Sequence, residues 1–84
     1  MSQHTPNALT EIFKRDHDLI TRLKTEDAHY ARLADEYHEV NRAVHRHESE
    51  AETVSDDHAE ELKKKRLKLL DEITQIVDRA RAAA

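Results

Sequence analysis

The sequence predicts an all-α fold, an antiparallel two-helix hairpin of coiled-coil type, and three observations carry that prediction. The chain has 84 residues with no glycine and a single proline, so sheet hairpins and glycine-rich phosphate loops lack the residue they lean on. Charged residues make up 38 % and hydrophobic residues 37 %, against about one quarter charged in an ordinary globular domain, so a deep core is excluded. Apolar residues recur at alternating spacings of three and four along nearly the whole chain, the pattern of helices packed along a seam.

Residues 1–6 read as a flexible N-terminus. Thr5 is a natural N-cap, with Pro6 at the first helical position, where its missing N–H costs nothing. From there the period predicts one long helix over residues 7–53, with seam seats at Leu9, Ile12, Asp16, Leu19, Leu23, Glu26, Tyr30, Leu33, Tyr37, Val40, Val44, His47, Ala51 and Val54. Phe13, Ile20 and Ala34 widen the stripe on one side. Ser55, Asp56 and Asp57 interrupt it, and these are capping residue types, so residues 54–57 read as turn and cap. A second helix follows over 58–82, with seats at Ala59, Leu62, Arg66, Leu69, Ile73, Ile76, Ala80 and Ala83, and with Leu70 and Val77 beside them. Arg79 and Arg81 near its end suit the negative pole of the helix.

Two amphipathic helices joined by a short polar turn fold back on each other. The register then sets Leu62 against His47, Arg66 near Val44, Leu69 against Val40, Ile73 against Tyr37, Ile76 against Leu33 and Ala80 against Tyr30. Arg66 is expected to lay its methylenes on the seam and send its guanidinium to a rim carboxylate such as Glu48. The two lengths do not match: at ~1.5 Å per residue the helices span roughly 65–70 Å and roughly 40 Å. The arm over 9–23 is therefore left over, with Leu9, Ile12, Phe13, Leu19, Ile20 and Leu23 unpartnered. Such a patch marks an interface, so the expectation is a homo-oligomer, dimer or larger, or docking on a partner helix.

The runs LKTEDAHYARLADEYHEVNRAVHRHE (residues 23–48) and SDDHAEELKKKRLKLLDEI (residues 55–73) resemble the YdcH-like family of small bacterial helical hairpins. The likeness covers roughly residues 16–77. It implies a cytoplasmic, oligomeric bacterial hairpin with no known enzymatic activity, and the family's function is not established. Two features depart from the family pattern: His47 occupies an apolar seat, and the turn ESEAETVSDD lacks glycine.

The other constellations point to weaker chemistry. Lys63, Lys64, Lys65 and Lys68 form a basic face that gives an alternative role in contacting a nucleic-acid or membrane surface. Yet Glu60, Glu61 and Glu72 stand four residues from Lys64, Lys65 and Lys68, the spacing of solvated ion pairs, and no aromatic is interleaved to stack bases. A net charge of −4 also argues against nucleic acid. The seven histidines could take that charge to +3 if all were protonated, and His47 on the seam is the candidate pH-sensitive position. His45/Glu48, His47/Glu50 and His58/Glu61 share helix faces in pairs, but no His-x-x-x-His pair completes a metal site. No metal, no cofactor and no enzymatic activity are expected, because an exposed helical rod offers no pocket to desolvate a catalytic group. Without cysteine, without a run of ~18 apolar residues and without a basic, apolar leader at the start, the chain reads as cytoplasmic.

Overall fold

The computed structural model describes residues 8–48 and 56–83, with side chains from Ala8 to Arg46 and from Asp57 to Ala83. The described residues are all-α: α1 (Leu9–Ile12), a 3₁₀ turn (Lys14–Asp16), α2 (His17–Glu26), α3 (Ala28–Glu48) and α4 (Asp56–Ala83). The expected 1–6 terminus lies outside them, as do residues 54 and 55 of the expected turn and the His47 side chain. α4 already includes Asp56, two residues before the predicted start.

The long helix predicted over 7–53 is corrected by two breaks. At Asp27 the backbone is extended, with φ −118° and ψ 101°. Its N–H closes α2 on the Leu23 carbonyl at 2.9 Å, and its Oδ1 accepts from the Tyr30 N–H at 3.0 Å. One residue therefore ends one helix and caps the next. At Phe13 a second departure, φ −108° and ψ 45°, ends α1, and the 3₁₀ turn carries the chain into α2. Thr21 and Thr25 on α2 return their hydroxyls to the His17 and Arg22 carbonyls, each at 2.9 Å.

The breaks fold the arm back. α3 and α4 run side by side in opposite senses, and α2 lies against both. The described residues extend over 44 × 30 × 18 Å, and the 28 residues of α4 alone span about 42 Å. Along the axis of that pair the described residues extend little beyond α4, so the two-helix form with an overhang gives way to four helices around one core.

The core explains why. α3 buries Tyr30, Leu33, Ala34, Tyr37, Val40, Asn41 and Val44. Ala34 and Asn41 make this stripe wider than a two-helix seam needs. α4 contributes Ala59, Leu69, Ile73, Ile76 and Val77. The arm adds Leu9, Phe13 and Ile20, which join the same cluster, while Leu19, Leu23, Leu62 and Leu70 pack partly against it. Burial of large side chains gains about 1.5–3 kcal/mol each, which favours the folded-back arm over a solvated one.

Arg66 settles the register of the antiparallel pair. Its Nη1 donates to the Asn41 Oδ1 at 2.9 Å, within one turn of the expected Val44. The predicted partner, Glu48, lies beyond the described side chains; the observed one is a neutral amide whose residue is 1 % exposed.

Candidate functional site

The feature of interest is the groove between α3 and α4 and the arm that fills it. Leu9, Phe13 and Ile20 are 2 %, 6 % and 7 % exposed, so the expectation of six side chains left in water is corrected: these three are interior, Leu19 and Leu23 are half-buried, and Ile12 at 41 % is the exposed one. The reason is geometric, because the bend at Asp27 turns the arm's apolar face onto the pair rather than along its axis. Of the expected seam seats, Tyr30, Leu33, Tyr37, Val40, Val44, Leu69, Ile73 and Ile76 are buried, and Leu62 is partly so.

Where the arm meets α3, a cleft of about 200 Å³ remains, bordered by Leu9, Ile20, Tyr30 and Ala34, with Lys24, Asp35 and His38 also lining it. The Tyr30 hydroxyl is buried and has no hydrogen-bond partner among the described residues, and burial pushes its pKa above the ordinary phenol value. The His38 ring stands edge-on to Tyr37, with centroids 6.1 Å apart. Burial holds its imidazole below the usual histidine range; Lys24 and Arg42 add to this and Asp35 opposes it.

At the far end of the groove the arm is tied to α4. Arg81 donates from Nε to Asp16 Oδ2 at 3.0 Å and from Nη2 to the same oxygen, while its Nη1 reaches Asp78 Oδ1 at 2.7 Å. The Arg81 hydrogen bond and charge hold the Asp16 carboxyl below the usual carboxylate range. Asp16 stands just before α2 but makes no side-chain cap to it, since its carboxylate is spent on Arg81. The sequence pattern places Asp16 on a seam seat and Arg81 at the negative pole of the last helix. It does not show that they meet, because 65 residues separate them.

The remaining sites separate. Lys64, Lys65 and Lys68 are exposed and border a shallow cleft together with Leu33, Leu69, Glu36 and Glu72, so carboxylates stand within the basic face. Lys63 is exposed on α4 and does not line that cleft. Among the described residues no group of three His, Asp or Glu side chains could hold a metal ion. Among them, too, no helix is long and apolar enough to cross a membrane.

A family model described as a protein of unknown function, DUF465, matches residues 31–77, more than half of the chain. The chain belongs to the DUF465 family. The YdcH-like proteins it resembles are members of the same family, so the resemblance read from residues 23–48 and 55–73 holds. Nothing matches the chain among curated proteins or among solved structures. The DUF465 match covers most of α3 and α4 and stops before Tyr30. The whole arm, including Leu9, Asp16, Ile20 and the Asp27 hinge, lies outside it.

Proposed function

We propose that this DUF465 protein is a non-enzymatic helical interaction module whose binding element is the groove between α3 and α4 and whose ligand is an amphipathic helix. One observation carries the reading. The groove receives the apolar side chains of the arm, Leu9 on α1, Phe13 at its C-terminal end and Ile20 on α2, and that arm lies outside the part of the chain the family model matches. A groove that takes apolar anchors from short helical segments resembles the grooves used in helix recognition generally. Its charged borders, with Arg81 at one end and Lys24 beside Asp35 at the other, would set the register of the incoming helix. Self-association and docking of a partner helix are both forms of this activity. The basic face of α4 supports a polyanion contact less well, because Glu36 and Glu72 stand among its lysines.

The test is a fluorescently labelled peptide of residues 8–27 added to the full chain and to an Asp16→Arg variant. In the variant the chain's own arm is repelled by Arg81, while the peptide keeps its aspartate. Saturable binding is expected to both, several-fold tighter to the variant because more of its groove is open. A peptide with Leu9, Phe13 and Ile20 changed to serine should not bind. Failure of the native peptide to bind either chain removes the reading.

A further inference from the structure

We propose that the occupant of the groove is exchanged between two copies of this chain: the arm, residues 8–26, swings out at Asp27 and fills the groove of a second copy, whose own arm returns the contact. The proposal rests on the helix-groove reading above and names the partner as a second copy.

Two observations combine to point there. The first is the hinge. Asp27 is the single non-helical residue between Glu26 and Ala28. Changing its ψ from 101° to a helical value of about −42° joins α2 to α3. The chain around it holds no glycine or proline to forbid a continuous helix. The second is the seam. Leu19, Leu23, Glu26, Tyr30 and Leu33 keep spacings of three and four straight through the bend, although the folded chain has no continuous helix there. A periodicity that survives a break is a second conformation written into the same residues: in the straight form Leu19, Leu23, Tyr30 and Leu33 share one face of a helix from His17 to Glu48, with Glu26 a charged seat among them.

A straight α2–α3 helix carries Leu9, Phe13 and Ile20 beyond its own groove, where water would meet them. A second copy arranged about a two-fold axis restores every contact: its groove takes the arm, its Arg81 takes Asp16, and the exchange is returned. Because the contacts are the same in both forms, the hinge decides between them. The bent hinge has the Asp27 cap on the Tyr30 N–H; the straight hinge has instead the helical backbone bonds that the bend interrupts. Short hinges of this kind favour exchange.

The experiment uses the full chain, which contains no cysteine. Arg22→Cys on α2 and Arg79→Cys on α4 place one thiol on the arm and one beside the cleft that Leu23 shares with Arg79. The double variant is separated by gel filtration with light scattering, between about 10 µM and 1 mM. Each peak is then joined by a bismaleimide and read on a denaturing gel. The result expected is a dimer peak that grows with concentration and whose cross-link joins two chains. Asp27→Ala, which removes the cap, is expected to favour the straight hinge about fivefold at each end, raising the dimerisation constant about 25-fold. A monomer at every concentration, a dimer whose cross-links stay within one chain, or no cross-link in either peak overturns the exchange. If the labelled arm peptide still binds in those cases, the groove remains a helix receptor and only the second copy is lost. If it does not bind, both readings fall.

Discussion

Arg81, in the last turn of α4, donates two hydrogen bonds to one oxygen of Asp16, 65 residues earlier in the chain and at the foot of α2. The pair fastens the arm to the helix farthest from it in sequence, and it exists only while Asp16 is ionised. Asp16 titrates below its ordinary value of 3.8 because Arg81 bonds and attracts the carboxylate. A depressed carboxyl stabilises the fold above the unfolded pKa, and the contribution disappears as pH falls through the folded value. Wild type and Asp16→Asn should therefore differ in urea midpoint at pH 6. The difference should shrink to nothing as pH drops below 3.8. A difference that stays constant over that range would mean the pair adds nothing through its charge.

Phe13 and Ile12 are adjacent yet differ in burial, at 6 % and 41 % exposed. Phe13→Ala should destabilise the chain by about 3 kcal/mol, the lower end for a buried aromatic, and Ile12→Ala by less than half of that. Equilibrium urea unfolding measures both. Near-zero values for both would describe a solvated arm instead of a packed one.

Asn41 is 1 % exposed and accepts from the half-buried Arg66. Asn41→Ala leaves a guanidinium without that acceptor and should cost about 1–3 kcal/mol. Replacing both partners, by Asn41→Leu with Arg66→Met, should recover most of the loss, since an apolar pair needs no hydrogen bond. If the double variant is worse than the single one, the polar pair is a net stabiliser.

Tyr30 is 1 % exposed, and its hydroxyl finds no partner among the described residues. Tyr30→Phe removes a desolvated polar atom while keeping the ring, so stability should hold or rise by about 1 kcal/mol. Thermal unfolding decides it. A fall of similar size would place a hydrogen bond on that hydroxyl.

His38 is half-buried, and its pKa lies below 6.5 through burial, with Lys24 and Arg42 adding to the shift and Asp35 opposing it. The unfolded chain then binds its proton at higher pH than the folded chain does. Stability should accordingly fall as pH is lowered through 6.5 and level off below the folded value. His38→Gln should flatten that part of the profile of denaturation midpoint against pH. An unchanged slope would assign the pH dependence to other groups.

Much of the fold was legible because it is local. Apolar residues at a helical period, good helix formers and the absence of glycine specify an all-α chain without reference to any distant residue. The residues from Tyr30 to Val44 and from Leu69 to Ile76 that share an apolar stripe by period are the ones α3 and α4 bury, since a helix can hide only one face. Arg66 was recognised as a polar seat, but its bond to Asn41 was not. Placing that amide within reach depends on sub-turn rotation of the two helices.

The sequence by itself determined that the chain is helical, which faces of its helices are apolar and which family the chain resembles. The tertiary structure decided where the arm goes. A seam whose spacing runs on through Leu23, the polar seat Glu26 and Tyr30 is equally satisfied by a straight helix covered by another molecule and by a bent one covered by its own chain, because period records only which residues share a face. Asp27 carries a signal for the bend, as an N-cap residue type ahead of Ala28. That signal is worth about 1 kcal/mol, too little to read against an intact heptad. The bend is stabilised by burial of Leu9, Phe13 and Ile20 in the α3–α4 groove and by Asp16 on Arg81. Those contacts lie far apart in sequence and exist only once the chain has folded.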